Sequence, residues 1–204
     1  MTIAIIDYGM GNIGSVSRAI SACGFEPVIA KNADDVLQAD KIILPGVGSY
    51  SKAMDEIRQR GLEEAIIESV VDDQIPTLGI CLGMQILSTL GYEHGESKGL
   101  DFIPGDVVHF ESERKDIRIP HVGWNSVFHN GESKLFSGIP SGSDFYFVHS
   151  YHFNTKNDEN ILATSEHGSR FISAVYRDHV FGTQFHPEKS QQFGLKLLKN
   201  FLEL

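Results

Sequence analysis

Short, uniformly apolar runs alternate with stretches of helical spacing through the first half of the chain. Residues 2–6 form one such run, and 27–30, 41–44 and 77–80 form three more. Their length suits strands, and none shows the in–out alternation of a half-exposed strand, so both faces of the sheet are expected to be covered. Between them, residues 12–23 place Ile13, Val16, Ala19, Ile20 and Cys23 at helical spacing before Gly24 stops the pattern. Residues 33–39 predict a short helix, and 51–60 and 62–73 predict two more, divided by Gly61. Strands and helices in alternation imply a parallel sheet with crossover helices. The second half changes character. Residues 107–110, 145–148, 161–165, 173–177 and 180–185 read as strands, with a hairpin turn near Arg177-Asp178-His179. Residues 191–202 predict an amphipathic helix with Phe193, Leu197, Leu198 and Phe201 on one side. The expected fold is α/β: an open, mostly parallel twisted sheet with helices on both faces and additional antiparallel strands, in one domain spanning 1–204. Ligands of such sheets bind at the carboxyl ends of the strands. There the loops after Ile6, Leu44 and Ile80 and the segment after Phe185 are expected to share one cleft.

A formal charge of −10 argues against non-specific nucleic-acid or anionic-membrane binding. The two cysteines, Cys23 and Cys81, offer no disulfide framework, and a working thiol fits a reducing compartment. The start of the chain reads as a strand, without the basic segment of a signal peptide. No apolar run approaches the roughly 18 residues a membrane span needs. Cytoplasmic residence is expected.

The strand 77–80 ends in Gly79-Ile80-Cys81-Leu82-Gly83, and apolar residues at helical spacing (Ile86, Leu87, Leu90) follow. This is the form of a nucleophile elbow, a sharp strand-to-helix turn that presents a nucleophile above the end of a sheet. Gly79 and Gly83 permit the close backbone approach, and a helix start beside the sulfur favours thiolate. A lone cysteine at such a position is more often a packed core residue. A second segment changes the balance: Phe185-His186-Pro187-Glu188 supplies a histidine at a strand end and a carboxylate beyond Pro187. A cysteine nucleophile needs a base, and the base needs an orienting group, so Cys81, His186 and Glu188 form a candidate triad. Extended-chain alternation would put His186 and Glu188 on one side. Pro45-Gly46-Val47-Gly48 also follows a strand, and the backbone N–H of Val47 or Gly48 can join that of Leu82 in an oxyanion hole.

Other patterns compete. Gly9-Met10-Gly11-Asn12-Ile13-Gly14 matches a dinucleotide fingerprint. However, the second strand ends in Ala30-Lys31-Asn32 rather than in an acidic residue, and Asp7 would lie beside the pyrophosphate, so no cofactor is expected. Among nine histidines, His149 and His152 would point to opposite faces of an extended segment, and no metal-ligand spacing is present, so no metal is expected. The glycine-flanked Trp124 reads equally as core or as an exposed contact.

Taken together, Pro45-Gly46-Val47-Gly48, Gly79-Ile80-Cys81-Leu82-Gly83-Met84-Gln85 and Phe185-His186-Pro187-Glu188 resemble the class I, triad-type glutamine amidotransferases. Asp7-Tyr8-Gly9-Met10-Gly11-Asn12, Pro120-His121-Val122-Gly123-Trp124-Asn125, Tyr146-Phe147-Val148-His149-Ser150-Tyr151 and His186-Pro187-Glu188-Lys189-Ser190 narrow the resemblance. They are similar to the glutaminase subunits of imidazole glycerol phosphate synthases in histidine biosynthesis. The resemblance implies attack of the thiolate on L-glutamine, a cysteinyl thioester, and ammonia passed to a TIM-barrel cyclase/synthase partner. It assigns glutamine binding to Gly46, Gln85, Glu93 and the backbone of His149, Ser150 and Tyr151. It assigns the partner interface to Asn12, Trp124, Tyr146 and Lys189, and it implies that the Val47 N–H reorients when the partner is loaded. The runner-up within the family is a paralogous glutaminase that supplies a barrel-type partner in surface-polysaccharide sugar biosynthesis. Outside it stand a cysteine hydrolase of similar α/β design, which would lack His-Pro-Glu, and a non-catalytic dinucleotide-binding module that would not need Cys81.

Overall fold

The computed structural model describes residues 1–110 and 117–204. In chain order its first elements are β1 (Ile3–Ile6), α1 (Ile13–Ala22), β2 (Pro27–Ala30), α2 (Ala33–Leu37), β3 (Lys41–Gly46), α3 (Tyr50–Gln59), α4 (Glu63–Ile67), β4 (Thr77–Cys81) and α5 (Leu82–Gln85). The strands β5 (Leu90–Gly91), β6 (Ser97–Lys98), β7 (Gly105–His109), β8 (His121–Val127), β9 (Ser143–His149), β10 (Tyr151–Thr155), β11 (Ile161–His167), β12 (Ser169–Arg177) and β13 (Val180–Thr183) follow, and α6 (Gln191–Leu202) closes the chain.

One large sheet runs β2-β1-β3-β4-β13-β12-β10-β7-β5-β6, with β11 beside β12. Its first five strands are parallel, and β12, β11 and β10 extend it antiparallel. β8 and β9 form a separate antiparallel pair. The all-apolar strands divide their side chains between two cores, as the period of two requires. On β1, Ala4 and Ile6 join the core that holds Val36 of α2, Met54 and Ile57 of α3 and Ile66 of α4. Ile3 and Ile5 join the opposite core with Val16 and Ile20 of α1 and Leu197, Leu198 and Phe201 of α6. Helices therefore cover both faces. No helix among the described residues is long and apolar enough to cross a membrane.

Several boundaries differ from the sequence reading. The segment 62–73 is not one helix, because α4 gives way to a wider i→i+5 turn at Glu68–Asp72, closed by Asp73 N–H on the Glu68 carbonyl at 3.1 Å. The helical pattern after Cys81 persists only to Gln85, and Leu90, expected on that helix, lies instead in β5, which pairs with β7. Tertiary pairing overrides the local spacing there. Residues 121–127, to which the sequence pattern assigns no element, are strand β8. Cys23 is half-buried just beyond α1, and its thiol donates to the Leu195 carbonyl of α6 at 3.4 Å.

The elbow rests on a close approach. Registered β3 and β4 place Gly46 opposite Cys81. α5 then drops onto β3, so a Cβ built on Gly83 would lie 1.7 Å from the Leu44 carbonyl oxygen. Backbone cannot yield as a side chain can, so Gly83→Ala should destabilise the protein by roughly 3 kcal/mol, the upper range for overpacking. Gly14, on α1, meets only the flexible Arg18 guanidinium, and Gly14→Ala should cost nothing. Urea unfolding of both variants checks this, and an unchanged midpoint for Gly83→Ala would contradict the packing described.

Candidate active site

Cys81 occupies the tip of the elbow with φ +57° and ψ −111°, a conformation that L-residues rarely hold. It is only 6% exposed. Its sulfur lies 3.8 Å from the Val148 carbonyl oxygen and 3.8 Å from Gln184 Nε2, which donates to it. Leu82 opens α5, and the N–H of a first helical residue has no acceptor inside its helix.

His186 arrives from the end of β13 and is tied down on both sides. Its N–H donates to the Tyr146 carbonyl of β9 at 2.9 Å, and its own carbonyl accepts the Ser190 hydroxyl at 2.6 Å. The Ser190 oxygen in turn accepts the Tyr146 N–H at 3.0 Å. The segment after His186 is not extended. Pro187–Lys189 makes a single 3-10 turn, for which the fixed φ of proline at the first position is suited. That turn, rather than strand alternation, folds Glu188 back so that His186 Nδ1–H donates to Glu188 Oε1 at 2.8 Å. Both side chains are almost wholly buried, 2% and 1% exposed.

Burial opposes charge on His186, but neighbouring Cys81 and then Glu188 outweigh it and push the imidazole up to about 9. The imidazole beside Cys81 is therefore protonated more readily than that of a free histidine.

Cys81 and His186 line one cavity of about 330 Å³ together with Val47, Gly48, Leu82, Gln85, Glu93, Pro120, Val148, His149, Ser150 and Tyr151. Almost every residue expected to meet glutamine is thus on one wall or another. Gln85 Nε2 donates to the Tyr151 carbonyl at 3.0 Å and to Gln184 Oε1 at 3.1 Å. Glu93 Oε2 accepts the Tyr50 N–H at the start of α3 at 2.8 Å. Gly46 lies just behind the wall, where a Cβ would fall 2.5 Å from the Tyr8 hydroxyl. Val47 differs from the simple expectation: its N–H donates to the Met10 carbonyl at 2.9 Å and so is engaged by the Gly9–Gly14 loop. In this conformation it is not available to an oxyanion.

Of the expected interface residues, Trp124 is 49% exposed on β8 and sits opposite Tyr146 of β9. Their rings meet edge to face at 6.1 Å, and Lys189 Nζ stands 5.7 Å from the Tyr146 ring centroid. These three make one patch, in which Trp124 is exposed. Asn12 precedes α1, which packs against the Pro187–Lys189 turn. His149 and His152 do not point to opposite faces as expected. The chain bends at Ser150 between β9 and β10, and both rings pack on Phe110, at 5.1 and 4.7 Å.

Two residues escaped the sequence reading. Gln184 bridges Gln85 and Cys81, and its place two residues before His186 on an extended run was the available signal. The Tyr8 hydroxyl is buried against Gly46 without a partner among the described residues. Burial, and then nearby Cys81, pushes its pKa well up. Nothing in sequence spacing signals that contact.

The glutamine amidotransferase class-I family profile matches residues 4–204. The chain is 48% identical over 202 residues to imidazole glycerol phosphate synthase subunit HisH 1 of Campylobacter jejuni strain RM1221, covering 99% of this chain and 100% of that one. It is 45% identical over 201 residues to subunit HisH 2 of Methanococcus maripaludis, covering 98% of each. The chain belongs to the class I glutamine amidotransferases, in the HisH family. Among solved structures, a protein described as glutamine amidotransferase superposes with a TM-score of 0.77 at 18% identity, covering 98% of this chain and 97% of that one. A glutamine amidotransferase from Thermotoga maritima gives 0.68 at 16%, covering 100% and 96%. These two likenesses carry the fold alone.

The charge balance at His186 has a direct test. A histidine whose pKa is raised on folding adds stability that is complete below its unfolded value near 6.5 and is lost as pH climbs through about 9. Cys81→Ala removes the neighbour that raises it most, so the imidazole pKa should fall and that window should narrow. An NMR titration of the His186 ring in both proteins measures this, and an unchanged pKa would rule out Cys81 as the cause.

Proposed function

We propose that the chain hydrolyses L-glutamine at Cys81 and delivers the ammonia to a synthase subunit that makes imidazole glycerol phosphate. The observation that carries this reading is the convergence of Cys81, at its positive φ, with the buried His186–Glu188 pair on one cavity. HisH relatives of nearly the same length supply the pathway.

In this reading the Cys81 thiolate attacks the carboxamide carbon and the C=O electrons become an oxyanion. Leu82 N–H, with Val47 or Gly48 N–H after its release from its present setting, stabilises that charge. The His186 imidazolium gives its proton to the departing nitrogen, the C–N bond breaks, and ammonia leaves a cysteinyl thioester. His186 then takes a proton from water as it attacks, and glutamate is released with the thiolate restored. Glu188 holds the ring through Nδ1 throughout. Gly46, Gln85, Glu93, His149, Ser150 and Tyr151 hold glutamine, with the free oxygen of Glu93 suited to its ammonium group. The whole chain, 1–204, acts as one glutaminase domain in the cytoplasm. The partner is a TIM barrel docked on Asn12, Trp124, Tyr146 and Lys189.

Cys81→Ala should abolish glutamine-dependent synthesis while the complex still makes product from added ammonium, since only the ammonia source is lost. Paired assays with glutamine and with ammonium decide it, and retained glutamine use would refute the nucleophile.

The docking surface is tested separately. An aromatic anchor is worth at least about 2 kcal/mol when truncated at an interface centre. Trp124→Ala should therefore weaken partner binding about 30-fold or more by titration, while alkylation of Cys81 by a glutamine analogue in the isolated chain stays near wild type. The reverse pattern would move Trp124 into the glutamine site.

A further inference from the structure

His121 lies opposite His149 in the β8–β9 register and is buried. Its ring is sandwiched between Phe147, at 4.9 Å, and His167, at 4.1 Å. Its Nδ1 lies 2.9 Å from His149 Nε2, and its Nε2 lies 3.2 Å from Asn125 Nδ2. His149 Nδ1 in turn lies 2.8 Å from the Tyr151 carbonyl oxygen.

The direction of every proton in this chain follows from its last member. A carbonyl only accepts, so His149 carries its proton on Nδ1. Burial pushes the His149 pKa down to about 3 and that of His121 down to about 4, so each ring is neutral and carries one proton. His149 Nε2 is therefore bare and must accept, and His121 Nδ1–H must donate to it. His121 Nε2 is then bare, and the Asn125 amide donates to it. The same amide donates to the Glu166 carbonyl at 2.8 Å, and Asn125 Oδ1 accepts the Ser126 N–H at 2.8 Å. No polar atom of the relay is left over.

We propose that His121 is a positioning residue for the glutamine-binding wall, acting through the one-way relay Asn125 to His121 to His149 to the Tyr151 carbonyl. That carbonyl is the point where the relay meets the catalytic elbow, because it also accepts Gln85 Nε2 of α5. The relay thereby sets His149, Ser150 and Tyr151, all on the cavity wall, relative to the helix that begins at Cys81. Without His121, His149 Nε2 becomes a buried acceptor with no donor, and the bend at Ser150 loses the support that fixes it. His121 touches neither sulfur nor substrate, so it acts on binding rather than on bond-breaking.

This rests on the glutaminase reading, and the test separates the two. The full chain is alkylated by a glutamine analogue carrying a leaving group, and the half-saturating concentration is measured apart from the maximal rate. His121→Phe keeps the ring stacking and loses both hydrogen bonds. It should raise the half-saturating concentration about tenfold and leave the maximal rate within about threefold. His121→Asn, whose amide reaches the Nδ1 position, should restore the half-saturating concentration to within about threefold of wild type. A merely structural role would move both variants together and would lower the maximal rate. An unchanged half-saturating concentration in His121→Phe overturns the proposal. Nitrogen-15 NMR gives a readout independent of activity: His121 and His149 should both be Nδ1–H tautomers in the wild type. An Nε2–H tautomer at either ring also overturns it. If the wild-type chain shows no saturable labelling at Cys81 while the tautomers are as stated, the glutaminase reading fails and the relay geometry stands.

Discussion

Everything at this site hangs on how closely the Cys81 turn can approach the neighbouring strand. A non-glycine residue at φ +57° carries strain of roughly 1–3 kcal/mol, and it persists only where its surroundings over-determine it. Here the surroundings do so from three sides. β4 is paired with β3 up to Cys81 itself and with β13 up to Ile80, so the strand cannot relax. The first turn of α5 sits on the end of β3, with Gly83 against the Leu44 carbonyl and Gly79 beneath the Gly83 carbonyl. Gly46 completes the fit, with the Gly83 nitrogen and the Tyr8 hydroxyl where a Cβ would go. Glycines on two adjacent strands and on the helix thus serve one geometry, which is to hold a sulfur off the end of a sheet beside a cavity.

The histidines near that cavity show how little it takes to reverse an imidazole's charge. His186 and His149 are both buried cavity residues, and desolvation disfavours the cation on each. His186 has a carboxylate on one nitrogen and Cys81 near it, and its pKa rises. His149 has a neutral carbonyl on one nitrogen and a neutral imidazole on the other, and its pKa falls. The presence of an anion, rather than the degree of burial, decides which ring is held more basic and which is held neutral. The same rule explains how His121 and His149 can meet edge to face without repulsion.

Much of this was legible in the sequence, and the limits have physical causes. Fully apolar strands announce a covered parallel sheet because both of their faces must be apolar, and β1, β3 and β4 lie where their runs do. The glycine-flanked cysteine and His-Pro-Glu were legible because the elbow and the turn are local. What failed depended on distant partners. Leu90 continues a helical spacing but is claimed by β7. Residues 121–127 contain too little alternation to announce a strand, and they are one because β9 pairs with them. His186 and Glu188 meet as foreseen but for a different reason, since Pro187 starts a turn rather than separating two strand positions. The relay through His121 joins residues 28 apart, and no local pattern could place its rings within 2.9 Å.

The Gly9–Gly14 loop, which imitates a nucleotide-binding fingerprint, has a structural reason for its glycines. A Cβ on Gly11 would lie 3.2 Å from the Pro45 ring, and a Cβ on Gly48 would lie 2.7 Å from the Met10 side chain. The loop is packed against the Pro45–Gly48 segment, and its Met10 carbonyl takes the Val47 N–H. On the proposed mechanism this places a small energy against a larger one. Releasing a single backbone hydrogen bond costs about 0.5–1.5 kcal/mol net. An aligned oxyanion donor stabilises the transition state by about 2.7–4 kcal/mol. The difference favours rotation of the Val47 peptide only when a tetrahedral oxyanion is forming, or when a partner's contacts offset the initial loss. Met10 is half-buried and Val47 is exposed, so a docked partner can reach this exchange directly. On that mechanism a site poised in this way would hold its ammonia-releasing activity low until an acceptor is in place, with the loop that mimics a cofactor motif as the part that keeps it waiting.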